Sequence, residues 1–561
     1  MLRLFFGLFS RPPSTSSRII HLQPNPQLMK RSFHDFREAM KEPIVRPLAP
    51  LQLTPNEARL RLLLLDFAKH HAKSEPEKKL ELRWAGGWVR DKLLGIESND
   101  IDIAINCMTG EAFGLELSQF CQQESVIEQY EMQRSDLKGL HLIRLNPEKS
   151  KNLETATTQL FGVDLDFVNL RKETYASNSR NPEIEFGTAY EDAMRRDATV
   201  NALFYNIHSD CIEDFTGGLE DLEAKLIRTP LEPLQTFMDD PLRVLRLIRF
   251  SSRLSFDLDE EVRKFMSDER VLHALKMKIT RERVGIELDK MLKGKDPRAA
   301  LILIDELKLY HAIFTDITKD DLPKPDIQHW SAIYNLLHDL SRDSNPESIY
   351  RTLIASSLDE YLIWALASMS PWESVPDEVI VGPKTKANSV ARIVSVAREG
   401  FRATNKLCDV LTGSHRNIAE IIQFKDDILS NNERINNRGG IAMMIRRWEG
   451  NAMNWHLQLF YAMFVEVLKF PADVETVKKN WIRVFEFLRE MDLLNAHLIK
   501  GLVDGRALCK AMKAKPGKWM KLALDDCLEW QFNHPDVTTI DGVFDGFTLE
   551  KLQAHLKESQ G

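Results

Sequence analysis

The run Asp100-Ile101-Asp102-Ile103-Ala104-Ile105 constrains the fold of this chain more than any other segment. Polar and apolar residues alternate with period two. The run therefore reads as a strand, with Asp100 and Asp102 on one face and Ile101, Ile103 and Ile105 turned to a core on the other. Two carboxylates this close on a rigid strand repel each other unless a cation sits between them. Hard oxygen donors of this kind suit Mg²⁺. Just upstream, Gly86-Gly87-Trp88-Val89-Arg90-Asp91 sets a glycine pair at the entry of a helix that carries an arginine, an arrangement suited to phosphate. A lone Asp-x-Asp is ordinarily a solvated strand end, and a lone Gly-Gly says almost nothing. Their succession reads as a metal-dependent nucleotide site, with Asp100 and Asp102 on the metal and Gly86, Gly87 and Arg90 on the nucleotide.

With 561 residues the chain exceeds one ordinary core, and two to four domains are expected. Composition is globular, at 43% hydrophobic and 28% charged, and no apolar stretch is long enough to span a membrane. The formal net charge of −8 does not announce a nucleic-acid partner, so any RNA contact requires a local basic surface. Six scattered cysteines form no Cys-x-x-Cys pattern and support neither a zinc site nor a disulfide framework. Nothing marks an obligate protein partner. Residues 1–34 contain no Asp or Glu but hold Arg3, Arg11, Arg18, Lys30, Arg31 and several serines. That is the composition of a mitochondrial transit peptide over residues 1–40, against the alternative of a disordered tail. Starts at Met29 or Met40 would omit it and yield cytoplasmic or nuclear forms.

Apolar periodicity predicts a helix over 55–82, followed by a short strand at 82–85, a helix at 89–95 and the strand at 100–105. Residues 111–123 read as helix, and strands recur at 139–145 and 160–170. The mixed pattern ends near 210. Beyond about 235 helical periodicity runs almost throughout, broken by a Pro/Ser-containing loop at 370–383. The fold class is α+β: a mixed-sheet head followed by an all-α remainder.

A third carboxylate is expected from the strand within Leu160–Arg171, where Asp164 and Asp166 share a face. Asp166 is the candidate, as metal neighbour or proton acceptor, with a solvated strand face as the alternative. Further on, Glu191-Asp192-Ala193-Met194-Arg195-Arg196-Asp197-Ala198-Thr199-Val200-Asn201-Ala202 places adjacent arginines where triphosphate and ribose oxygens would accept charged hydrogen bonds. Asp239-Asp240-Pro241-Leu242-Arg243-Val244-Leu245-Arg246-Leu247-Ile248-Arg249-Phe250 sets Arg243, Arg246 and Arg249 three apart on a helix. Asp240 before Pro241 also fits a plain helix cap.

Taken in order with Asp214–Leu222 and Arg281–Leu288, these blocks resemble the signature of class II tRNA nucleotidyltransferases. These are CCA-adding enzymes in the superfamily that includes DNA polymerase beta, and bacterial poly(A) polymerases are close kin. Asn146–Lys151 brings the match nearer to the fungal-type eukaryotic enzymes. Asp239-Asp240 departs from the Glu-Asp of many bacterial relatives but keeps the second aspartate.

The resemblance implies a polymerase beta-like head (41–210), a helical neck (211–290), a body (291–420) and a tRNA-binding tail (421–561). It implies two Mg²⁺ ions, CTP and ATP as substrates, and tRNA as partner. Arg196 would contact the nucleotide and Asn201 the sugar. Asp214–Leu222 would be a head-to-neck hinge, and the polar segment 146–158 a mobile loop. Asp240 and Arg243 would read the incoming base, leaving Arg246 and Arg249 for phosphate and helix-to-head contacts. Cytosine and adenine each present an amine donor beside a ring-nitrogen acceptor. A carboxylate accepts from the first and a guanidinium donates to the second, whereas uracil and guanine oppose both. Between 499 and 521, Lys500, Arg506, Lys510, Lys513, Lys515, Lys518 and Lys521 face a single acid, Asp504, with Trp519 interleaved. This is the expected RNA-binding patch. A poly(A) polymerase with the same head and a non-catalytic tRNA-binding scaffold are the alternative functions.

Overall fold

Two units divide the chain in the computed structural model, which describes residues 44–47, 52–98, 100–133, 135–143, 155–174, 183–319, 321–380, 388–450, 453–546 and 552. The first comprises residues up to 170, with 186–194 and 199–226. The second comprises 171–185, 195–198 and 227 onward. The expected transit segment and most of the expected mobile loop lie outside the described residues, as do Met29 and Met40.

The first unit is built on an eight-stranded sheet. Its strands are β1 (Ile44–Pro47), β2 (Leu82–Ala85), β3 (Asp100–Ile105), β4 (His141–Ile143), β5 (Thr155–Leu160), β6 (Val163–Asn169), β9 (Leu203–Asn206) and β10 (Cys211–Asp214). β7 (Arg171–Thr174) and β8 (Glu183–Phe186) form a separate pair. Strand order across the large sheet is β1-β10-β9-β2-β3-β6-β5-β4. Every adjacent pair is antiparallel except β3 and β6, which run parallel at the centre.

The period-two reading of β3 holds residue by residue. Ile101, Ile103 and Ile105 are fully buried, while Asp100 is exposed and Asp102 half-buried. On the isoleucine side the helices Pro55–Ser74 and Gly110–Cys121 close the core through edge-on contacts of Phe113 with Phe67 and Phe167, at centroid distances of 5.3 and 5.0 Å. The aspartate face is closed further along by a small cluster that includes Ala104, Ala193, Phe204 and Phe215.

The strand expected over 160–170 is β6, and it forms a hairpin with β5, which the sequence pattern did not mark. β5 and β6 join through Phe161 and Gly162, both at positive φ (52° and 78°). A two-residue loop with this backbone matches strand twist. Glycine takes it without strain, whereas the phenylalanine is held there under the Arg59 guanidinium, 4.0 Å from its ring centroid. The first helix stops at Ser74 rather than 82, fixed at its start by a capping box between Thr54 and Glu57.

The block Asp214–Leu222 is a tied corner. Asp214 is fully buried, and its carboxylate accepts the backbone N–H groups of Thr216, Gly217, Gly218 and Leu219 at 2.9–3.1 Å.

The second unit is helical apart from the β7–β8 pair and other short strand pairs. Leu242–Leu254 buries Leu245 and Ile248 completely and packs on Arg281–Leu292. Near the C-terminus, Leu508, Trp519, Ala523, Cys527 and Val543 form a separate small core. All six cysteines are free thiols. Among the described residues no helix is long and apolar enough to cross a membrane.

Candidate active site

The parallel register of β3 and β6 sets Asp100 opposite Asp164 and Asp102 opposite Asp166. Four carboxylates therefore share one face at the centre of the sheet, where the sequence pattern had pointed to three. Burial first, then the charges of Asp100, Asp102 and Asp164, push the Asp166 carboxyl up to about 6. Asp100 is also raised, by burial and by Asp164. Asp164 is anchored by the Gln159 side-chain amide at 2.7 Å. Among the described residues no group of three or more His, Cys, Asp or Glu side chains is arranged to hold a metal by itself.

Gly86 turns the chain from β2 into the helix Gly87–Leu93 at φ 69°, ψ −122°, a conformation that side-chain-bearing residues rarely adopt. Its N–H is tied to the Leu203 carbonyl at 3.0 Å, so the turn is locked to β9. Glu57 holds the helix from below, accepting from the Trp88 indole at 2.8 Å and from Lys92. Arg90 is only 3% exposed, and its guanidinium bonds Asp91 at 2.8 Å and the Asn201 side-chain oxygen. Arg90 therefore positions Asn201 within the first unit instead of reaching toward open solvent. The sequence pattern identifies its charge but not its partners.

In the second unit the arginine pair and the helix Leu242–Leu254 are knit together. Glu173 on β7 receives Arg171 at 2.7 Å and Arg195 at 3.2 Å. The Arg195 carbonyl accepts from Arg243 Nη2 at 2.7 Å, and Arg243 is 7% exposed. Arg196, next in sequence, is half-buried. Asp240 splits its two oxygens: Oδ1 accepts from the Leu242 N–H at 3.2 Å, and Oδ2 pairs with Arg283 at 3.2 Å. The cap role and a separately oriented carboxylate oxygen thus coexist in one side chain.

Arg246 binds Asp197 at 2.6 Å, and Arg249 binds Glu287 at 2.7 Å, with Glu287 also 3.6 Å from Arg246. Both arginines, expected in phosphate and helix-to-head contacts, are ion-paired to carboxylates of their own unit. Glu287 is 3% exposed, so the pairing anchors the helix Leu242–Leu254 on Arg281–Leu292. Arg283 and Glu287 lie within the Arg281–Leu288 block, whose resemblance marks a helix buttressing the block Asp239–Phe250 but not these partners, and Glu173 was not singled out. Each sits among other charges on its element, and its partner is distant in sequence for Arg283 and Glu287.

Lys500, Arg506, Lys510, Lys513, Lys515, Lys518 and Lys521 are all exposed. Trp519 is not a stacking surface among them. It is 3% exposed in the C-terminal core, and its indole N–H donates to the Lys515 carbonyl at 3.1 Å.

Residues 82–228 match the family model described as the poly A polymerase head domain. Residues 255–320 match one described as a probable RNA and SrmB-binding site of polymerase A. A nucleotidyltransferase of Purpureocillium lilacinum, lcsQ, is 44% identical, covering 93% of this chain and 96% of its own. The mitochondrial CCA tRNA nucleotidyltransferase of Saccharomyces cerevisiae is 37% identical, covering 87% of this chain and 92% of its own. The tRNA nucleotidyltransferase cca2 of Schizosaccharomyces pombe is 35% identical over 84% and 93% of the two chains. The fold is that of a solved apo CCA-adding enzyme, at TM-score 0.60 and 18% identity over 91% of this chain and 99% of the other. A head with an acidic strand pair, a helical remainder and full-length relatives of one kind converge: the chain belongs to the fungal CCA tRNA nucleotidyltransferase family.

Proposed function

We propose that this protein adds C, C and A to the 3′ end of tRNA from CTP and ATP, without a nucleic-acid template. The observation that carries the reading is the register of β3 and β6, which gathers Asp100, Asp102, Asp164 and Asp166 on one face. The reaction moves the α-phosphoryl group of a nucleotide to a 3′-hydroxyl, and its demands are positioning and charge stabilisation. Asp100 and Asp102 would hold Mg²⁺. When bound, the metal supplies charge neutralisation at the attacking and leaving oxygens. Asp166, with its raised pKa, is suited to take the hydroxyl proton or to complete the acidic face.

Gly86 and Gly87 give the backbone a close approach to phosphate, Arg195 and Arg196 meet the triphosphate, and Asn201, held by Arg90, meets the sugar. Asp240 and Arg243 select the base. Arg246 and Arg249 act by fixing the helix that carries Arg243. The exposed basic surface of 500–521 contacts tRNA phosphates, in a tail that follows neck and body over 211–420. Residues 1–40 serve as a mitochondrial presequence, a reading supported by the mitochondrial names of the Saccharomyces and Candida glabrata relatives. Starts at Met29 or Met40 would supply cytoplasmic and nuclear forms.

The test is a tRNA ending at its discriminator base, offered each nucleoside triphosphate alone and then CTP with ATP. The reading predicts two C residues from CTP alone and a complete CCA end from the pair. Long A tails from ATP alone would establish poly(A) synthesis instead, and RNA binding without incorporation would establish a non-catalytic scaffold.

A further inference from the structure

A second basic feature lies far from the tail patch in sequence. A cavity of about 240 Å³ in the helical unit is lined by Lys276, Lys308, Lys319 and Lys324, with His273 and His311. No carboxylate is among its described lining residues. Asp316 lies 3.5 Å from Lys319 and offsets one of the four charges. Behind the wall a fifth cation is buried: Arg281 is 5% exposed and donates to the carbonyl of Ala312, itself a lining residue, at 2.8 Å. Burial first, and then Lys324, lower the His311 pKa. Trp372 completes the wall at 2% exposure, and its indole nitrogen has no acceptor among the described residues.

Like charges gathered in a concave, partly dehydrated site raise its potential and favour an anion. The volume falls below the roughly 300–1,000 Å³ of pockets that enclose a whole small molecule. One oxyanion group of a larger ligand therefore fits better than a free nucleotide. Lys276, Lys308 and Lys319 also fall inside 255–320, the stretch matched to the RNA-binding model.

We propose that this cavity seats a backbone phosphate of the RNA substrate, a contact separate from the tail patch. The inference rests on the tRNA-modifying function proposed above. Lysines surrounding one phosphodiester contribute sequence-independent affinity by releasing counterions. Losing them should weaken RNA binding uniformly and flatten its salt dependence, leaving the chemistry of the bound complex intact.

The test uses the full chain and the triple variant Lys276→Gln, Lys308→Gln, Lys324→Gln, with tRNA lacking its CCA end. Lys319 is left in place because it pairs with Asp316. Wild-type binding and CMP incorporation test the function itself in the same experiment. Against a competent wild type, the variant should bind roughly five- to tenfold more weakly near 0.1 M salt, with the slope of log affinity against log salt reduced by about 1 or more. Its KM for RNA should rise while kcat and the KM for CTP stay at wild-type values. An unchanged RNA affinity and salt slope in a variant that melts like wild type overturns the proposal. So does a cavity that answers only to inorganic phosphate, seen as phosphate raising the melting temperature of wild type but not of the variant while RNA affinity is equal. Charge reversal at the exposed Lys308 alone, Lys308→Glu, guards against a folding defect and should weaken RNA binding in the same direction.

Discussion

Arg283→Ala isolates the orientation of the Asp240 carboxylate, proposed to read the base, from its presence. Asp240 has two anchors, the Leu242 N–H on Oδ1 and Arg283 on Oδ2, each at 3.2 Å. Removing Arg283 leaves the cap and frees the other oxygen. The bare Coulomb attraction at that separation is about 5 kcal/mol at an effective dielectric of 20. Most of this is offset, because the two side chains are 30% and 19% exposed. Partly exposed pairs of this kind retain about 1 kcal/mol after solvation and side-chain entropy. That corresponds to about a fivefold effect. It should fall on the nucleotides whose amine the carboxylate receives. The kcat/KM for CTP, measured by single addition to tRNA lacking CCA, should drop about fivefold, and that for UTP much less, compressing their ratio. Arg283→Lys should recover part of the ratio, since a single ammonium restores charge but not the guanidinium geometry. If CTP and UTP fall together, or the ratio is unchanged, Arg283 does not act through Asp240.

Glu287→Ala leaves Arg249 and half-exposed Arg246 short of a partner. It should cost about 2–3 kcal/mol, below the usual penalty for a broken buried pair because Arg246 keeps Asp197, and denaturant titration reads it directly. His415 gives a pH signature. Hydrogen bonds and charge from Glu373, reinforced by Asp377, raise its pKa from 6.5 to about 9 despite burial. Because the folded value is the higher one, this stabilisation is complete below about pH 6.5 and is lost as pH climbs through 9. The melting-temperature difference between wild type and His415→Gln should therefore be largest at pH 6 and shrink by pH 9.5. A difference independent of pH would remove the charged pairing.

The acidic strand was legible because strict alternation with fully apolar partners leaves one sensible face, and β3 runs over the residues that pattern marks. The β5–β6 turn was not. Phe161-Gly162 lacks the usual Asn-Gly signal, and the aromatic residue sits at positive φ with Arg59 laid over its ring. The charge of Arg90, Arg246 and Arg249 was plain in the sequence, but their destination was not. Asn201, Asp197 and Glu287 reach them only after the chain has folded. Trp519 shows the same limit, since lysines crowd it in sequence while its ring faces a small apolar core.

The central claim is that the carboxylates of β3 perform the transfer. Asp102→Ala should lower CMP incorporation by roughly a thousandfold or more, the scale of a lost metal-binding group worth about 4 kcal/mol in the transition state. Its melting temperature and affinity for tRNA should stay at wild-type values, because a half-exposed strand carboxylate contributes little to the fold. Incorporation retained within about tenfold of wild type, in a variant that still binds tRNA, would contradict the account.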